Sequence, residues 1–284
     1  MIALRTAIPG AGLREFVRVY AQREVTGFHS GAISVTEAIP ARLEQTLEFQ
    51  FGLPFIVHHS LGHDFDTPEQ AVVGAQVGGV SQIELGPGVV SFAVFFTPTG
   101  FSRLFGVPIS EMSHRNYDAA MMPGKIRALR ERVGACITFE QRVRVMEEVL
   151  LARAVRARER TLMARIADHV FARQGVAGSV ERLAADSGLG IRQFQRLFVG
   201  EIGIGPKLYA RVARFQNALD MKIAAPGRSW LEIAHRLNYH DQMHMIRDFQ
   251  LLGGDTPRQL LAQIGDSRPS ALAEDETKEK HFAG

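Results

Sequence analysis

Arg192, Gln193, Gln195 and Arg196 are the residues in this sequence best suited to reading another molecule. Arg carries a planar fork that fits guanine O6 and N7, and Gln fits the major-groove edge of adenine. Arg196 follows Arg192 by one helical turn, so on a helix both point from one face, with Gln195 beside them. The interleaved apolar residues Ile191, Phe194, Leu197 and Phe198 repeat at helical spacing and are expected to face a core. A second set, Gln242, Met243, Ile246 and Arg247, stands in a second copy of the pattern, where Met245 and Phe249 repeat the buried pair. Met243 and Ile246 can offer apolar contact to a thymine methyl.

The elements that hold these residues are legible around them. Ser179 is placed to cap a short helix whose Val180, Leu183 and Ala184 share one face. Gly188 supplies a left-handed turn, and the helix carrying Arg192 starts at once. A short helix, a glycine turn and a second short helix form the helix-turn-helix signature, whose second helix enters the DNA major groove. One copy could be an ordinary helical hairpin with a solvated face; two copies favour DNA. In the second copy Leu231, Ile233, Ala234 and Leu237 build the first helix, Asn238 takes the turn, and Asp241 caps the next helix. Between the copies, 206–225 reads as one long helix, with Pro206 in its first turn and Leu208, Val212, Phe215 and Leu219 as its apolar stripe. It would hold the two recognition helices at a fixed separation. Lys207 and Arg211 on it can reach phosphate, and His240 and His244 fall near phosphate or solvent.

These residues resemble a known family. Ser187-Gly-Leu, Phe194-Gln-Arg-Leu-Phe198, Gly205-Pro-Lys, Arg211-Val-Ala-Arg-Phe, Ile233-Ala, Asn238-Tyr, Arg247-Asp-Phe and Thr256-Pro-Arg are similar, in order and spacing, to the AraC/XylS family of transcription regulators. The resemblance implies two helix-turn-helix units that insert into successive major-groove segments of one DNA face. It places base contacts on Arg192, Gln195 and Arg196, and on Gln242, Met243, Ile246 and Arg247. Two departures stand out: Asn238 where the family usually has Gly, and apolar Met243 and Ile246 among the outward positions. The second unit is therefore expected to read sequence weakly, or through thymine methyl groups. Promoter DNA is the implied partner, with a small-molecule effector, RNA polymerase and a second copy of the chain as further partners.

Composition agrees. The 284 residues are 46% hydrophobic and 22% charged, enough for two soluble domains. Residues 1–150 hold 13 Lys or Arg against 15 Asp or Glu, 151–265 hold 17 against 10, and 266–284 hold 3 against 5. The positive charge therefore sits with the repeats, as a DNA-binding domain requires. The one cysteine, Cys136, permits no internal disulfide and reads as a small apolar residue of a cytoplasmic protein. No signal peptide or membrane span is expected.

Residues 1–122 have strand character. Phe16–Tyr20 and Leu47–Phe51 alternate apolar and polar; 54–57, 72–77, 82–85 and 89–96 follow as further strands. Short strands at this spacing predict an antiparallel sandwich or barrel. The segment 96–108 resembles the sensor-like domain of some AraC-type regulators, which implies a cupin-like β-barrel; Phe49, Phe51, Phe92 and Phe95 are then candidates to line a ligand cavity. Residues 123–158 read as helical. Ile126, Leu129, Val133 and Ile137 make one stripe, and Thr138 caps the next helix. This pair can link the domains, form a dimer interface, or pack on the chain's own barrel. The overall expectation is α+β: a sensor or dimerisation domain over 1–122, helices over 123–158, a DNA-binding domain over 159–265 starting with a helix whose Leu162, Ile166 and Val170 face inward, and a disordered tail over 266–284.

Other chemistry fares worse. His58, His59 and His63, with Asp64 or Asp66, are the nearest approach to a metal set, as a cupin enzyme would need. Adjacent histidines on a strand point to opposite faces, so His58 and His59 cannot share one pocket. No Gly-x-Ser-x-Gly or His-Glu-x-x-His occurs, and Glu147 and Glu148 are adjacent on a helix and cannot face each other. No catalytic residue, cofactor or metal is expected. A cupin-type metal enzyme or small-molecule-binding protein with a merely structural helical domain is the competing reading.

Overall fold

The computed structural model describes residues 2–28, 32–59, 64–78, 80–113, 116–119 and 126–264. The chain runs β1 (Ile2–Ala7), β2 (Val17–Val25), β3 (Val35–Ile39), β4 (Thr46–Gln50), β5 (Ile56–His59), β6 (Phe65–Asp66), β7 (Gln70–Val73), β8 (Ser81–Leu85) and β9 (Val90–Phe96). Then come α1 (Gly100–Phe105), α2 (Ile109–Met112), β10 (Asn116–Asp118), α3 (Ile126–Gly134) and α4 (Phe139–Ala154). The remaining helices are α5 (Leu162–Ala172), α6 (Val180–Asp186), α7 (Ile191–Ile202), α8 (Pro206–Ala224), α9 (Trp230–Arg236), α10 (Gln242–Gly253) and α11 (Pro257–Ile264). The chain is α+β as expected. The tail and His63 lie outside the described residues.

The strands form two antiparallel sheets, ordered β1-β2-β9-β4-β7-β10 and β3-β8-β5-β6. This is the double-sheet arrangement of a cupin-like domain, and it is built as two sheets rather than one hydrogen-bonded ring. Tyr20, Leu47, Phe49, Phe92, Val94 and Phe96 cover one face of the larger sheet and pack against Leu129, Val133, Phe139, Met146 and Leu150 of α3 and α4. On the other face Val25 packs with Val57, Ile83 and Leu85 of the smaller sheet.

Helix ends follow the expected cap chemistry. Thr138 accepts from the amide of Gln141 at 3.2 Å while Gln141 Oε1 accepts from the amide of Thr138 at 3.1 Å, closing a capping box at the start of α4. Helix α3 stops at Gly134, so Ile137 leaves the expected stripe and is 87% exposed. In α5 the core takes Met163, Ala164, Ala167 and Val170, and Leu162 turns outward at 40% exposure. The α4 stripe lies on its own sheet, leaving Leu151 and Val155 exposed.

Candidate nucleic-acid interface

In the first unit Ser179 accepts from the amide of Arg182 at 3.3 Å and starts α6. Gly188 turns with φ 68°, and the amide of Leu189 donates back to the Ala184 carbonyl at 3.0 Å. The second unit repeats this geometry. Ser229 and Glu232 make a capping box, Asn238 turns with φ 54°, and the amide of Tyr239 donates to the Ala234 carbonyl at 2.9 Å. Asp241 then caps α10 through the amide of His244 at 2.6 Å. Both recognition helices end on a left-handed glycine, Gly203 at φ 85° and Gly254 at φ 79°. A proline opens the next helix in each case, Pro206 and Pro257.

Phe194, Phe198 and Ile202 bury one face of α7, so Arg192, Gln193, Gln195 and Arg196 are exposed on the rest of the helix. Ile191 and Leu197 were expected inside, but are 40% and 41% exposed, because the Phe194–Phe198–Ile202 spacing alone fills the core contact. On α9, Leu231 is 51% exposed while Ile233, Ala234 and Leu237 are buried. On α10, Met245, Phe249 and Leu252 go inward. Gln242, Met243 and Arg247 are exposed and Ile246 is half-buried. Aligned on their caps, Gly190 and Asp241, the helices match Arg196 with Arg247, Gln195 with Ile246 and Arg192 with Met243. Gln242 then corresponds to Ile191. His244 stands edge-on to Tyr239 at 5.5 Å, so its ring is part of the unit's packing.

Helix α8 joins the two units through aromatic contacts. Tyr209 meets Phe198 of α7 at 5.6 Å and Phe215 meets Phe249 of α10 at 4.8 Å, both edge-on. Lys207 is exposed near the start of α8. Arg211 corrects its expectation: its Nε pairs with the buried carboxylate of Asp248, so it ties α8 to α10 instead of reaching for phosphate. Arg214 approaches the same carboxylate at 3.7 Å and lies over the Tyr239 ring at 4.4 Å. Burial raises the Tyr239 hydroxyl above the ordinary phenol range, so the ring stays neutral beneath that cation.

The β-rich domain grips both recognition helices at their carbonyl ends. Ser113 Oγ donates to the Ile202 carbonyl of α7 at 2.9 Å, and the Ala41 amide donates to the Leu252 carbonyl of α10 at 2.8 Å. Gly203 is needed at the first contact, since a Cβ there would meet Ser113 Oγ at 2.5 Å. The Leu43 amide donates to Gln216 Oε1 on α8 at 3.0 Å, and Gln216 Nε2 donates to Glu44, which also pairs with Arg18. These contacts involve residues far apart in sequence, and no local motif announces them.

The proposed ligand-lining phenylalanines do not share one surface. Phe49 and Phe92 are fully buried on the helix-facing side of the sheet, where Phe92 stands 6.1 Å from Phe139. Phe51 stacks on Phe49 and under the Arg142 guanidinium. Phe95 is on the opposite face, beside Arg42. His58 sits between Asp64 at 2.8 Å and Glu84 at 3.2 Å, and these bonds raise the imidazole above its ordinary value, the bond to Asp64 most. Among the described residues no three His, Cys, Asp or Glu are placed to hold a metal, and no helix is long and apolar enough to cross a membrane.

Residues 183–263 match the model of a family described as a helix-turn-helix domain. No curated protein matches the chain. Among solved structures, an apo variant of ToxT from Vibrio cholerae is 10% identical and covers 88% of this chain and 98% of its own, with a TM-score of 0.54. Wild-type ToxT from Vibrio cholerae bound to an unsaturated fatty acid is 9% identical, covers 93% of this chain and 96% of its own, and has a TM-score of 0.51. At such identities the likeness is one of fold. Residues 183–263 thus form a helix-turn-helix domain, and the chain as a whole has a ToxT-like fold, a sheet-rich domain followed by a helical one.

Proposed function

We propose that the chain is a sequence-specific DNA-binding transcription regulator whose N-terminal domain answers to a small-molecule effector. Residues 159–265 form the DNA-binding unit and 1–122 the sensing unit in this reading. The observation that carries it is the pair of grips on the recognition helices. Ser113 holds the end of α7 and Ala41 the end of α10, so a change in the sensing domain is felt by both reading helices. The fatty acid bound by ToxT supports an effector as the signal. Arg192, Gln195, Arg196, Gln242, Met243, Ile246 and Arg247 are the base-facing set, Lys207 a phosphate contact, and Asp241 a cap that orients α10.

Finer parts belong to the same reading. The exposed Leu151 on α4 and Val155 just past its end suit a homodimer interface. RNA polymerase is the further partner at the promoter, the site of action is the cytoplasm, and the protein carries no catalysis. A genome-wide binding profile with and without candidate metabolites tests the function. Discrete promoter peaks that change in occupancy with a metabolite are expected; uniform, sequence-independent occupancy refutes it.

A further inference from the structure

Strand β2 is irregular where it faces the helical domain. Val17 pairs with Phe96 and Val19 with Phe95, so Arg18 is an extra residue in the ladder, a β-bulge. The bulge breaks the alternation of the strand: Val17 and Tyr20 share the core under α4, although an odd spacing would send them to opposite faces. A bulge re-aims a side chain, and here the re-aimed side chain is that of Arg18. Its guanidinium lies over the Phe171 ring of α5 at 5.0 Å, pairs with Glu44, and comes within 3.9 Å of Asp220 on α8. Asp220 stands one helical turn after Gln216, on the same face of α8. The Gln216 amide is held at both ends by neighbouring residues: its oxygen accepts from the Leu43 amide at 3.0 Å and its nitrogen donates to Glu44. Glu44, Gln216 and Asp220 are all buried.

This polar cluster sits in a core that the two domains share. Ala38, Ala41, Leu43, Val77 and Ile109 pack into the same apolar cluster as Phe198 of α7, Phe215 of α8 and Phe249 of α10. Apolar packing is non-directional. A buried ion pair adds little net stability, and its best-attested use is to fix a register. Here the register is that of α8, the helix that spaces the two reading helices. The grips on Ile202 and Leu252 then hold the far ends of those helices. Helix α7 is about 18 Å long, so a tilt of about 10° would move its reading end by about 3 Å, the length of a hydrogen bond. Docking leaves the reading faces open: Arg192, Gln195, Arg196, Gln242, Met243 and Arg247 are exposed.

We infer that the docked arrangement is the DNA-reading one, and that Arg18 and Gln216 are positioning residues that set α8 so that both units enter the major groove at once. The sheet-rich domain is thereby a working part of the reader, where a covering domain would have to be lifted from it. The inference rests on the DNA-binding reading, and the test separates the two.

A duplex selected from random sequence by the full chain is titrated with the native chain, Arg18→Met and Gln216→Leu. The same duplex cut back to one major-groove segment is titrated beside it. Two linked modules gain about a hundredfold or more over one when the geometry lets both engage. Each variant is therefore expected to lose about tenfold or more on the two-segment duplex and to bind the short one as the native chain does. Arg18→Lys keeps the charge but loses the fork that reaches both carboxylates. It decides if the other variants fail to fold, and its expected result is a larger loss on the long duplex than on the short. Equal losses on both duplexes would reduce the cluster to a role in folding, and tighter binding by the variants would make docking a restraint; either overturns the inference. Variants that bind the long duplex as tightly as a native chain that still selects sequence overturn the inference alone. A native chain that selects no sequence overturns the DNA-binding reading with it.

Discussion

Arg211 and Asp248 meet across the joint between α8 and α10, the carboxylate fully buried and the guanidinium about one-third exposed at 32%. Arg214 supports the same carboxylate at 3.7 Å. The two sides of the pair are not equivalent. Removing both arginines strands a buried charge, and Arg211→Ala with Arg214→Ala is expected to cost about 3–5 kcal/mol. Asp248→Ala frees arginines that can reach water and should cost less, about 1–3 kcal/mol. Urea denaturation measures both; equal costs would show that the carboxylate is not the stranded partner.

The same pair predicts a contrast in salt dependence. Lys207 is exposed and acts on phosphate, so Lys207→Ala should lower the slope of log affinity against log salt by about 1. Arg211 is committed to Asp248, so Arg211→Ala should leave the slope as it is, whatever it does to affinity. An equal loss of slope in both variants would return Arg211 to the DNA backbone.

Asn238 holds the turn of the second unit at φ 54°, where Gly188 stands in the first at φ 68°. Left-handed backbone costs residues with a β-carbon about 1–2 kcal/mol, and Asn less than most. Asn238→Gly should therefore be neutral or stabilising, and Asn238→Val should destabilise by about 1–2 kcal/mol. Thermal melts decide, and a Val variant as stable as the native chain would contradict the turn's role.

Much of the DNA-binding domain was legible because its determinants are local. The turns at Gly188 and Asn238, the Asp241 and Thr138 caps and the Phe194–Phe198 pair each depend on residues within a turn or two. The errors have a common cause. Ile191, Leu197 and Leu162 are apolar at near-helical spacing, but a helix touching one core fills only a narrow stripe, and periodicity does not say which flank wins. Strands β3 and β10 escaped notice because they are defined by partners far along the chain. Phe92 and Phe95 could have been separated at once, since an odd spacing on a strand sends them to opposite faces. The Arg211–Asp248 pair and the grips from Ser113 and Ala41 are tertiary, and no spacing rule reaches them.

Glu48 gives a pH prediction. Burial raises its carboxyl above the ordinary range, against the pull of Arg23 and Arg42. The folded state therefore holds this proton to higher pH than the unfolded chain does. Its contribution is fully present below the unfolded value and is lost as pH rises through the folded one. Glu48→Gln removes that loss, so the variant's melting temperature relative to the native chain should be higher at about pH 8 than at about pH 5. A difference that stays constant across the range would mean that Glu48 titrates alike in both states.

The central claim is that the first recognition helix reads bases through Arg192 and Arg196, one turn apart and exposed on α7. Fluorescence anisotropy on a cognate duplex and on a scrambled duplex of the same length tests it most directly. Arg192→Ala and Arg196→Ala should each lose about 1–3 kcal/mol on the cognate duplex, little on the scrambled one, and relax preference at one base position. Equal losses on both duplexes would reduce these arginines to phosphate contacts and contradict the account.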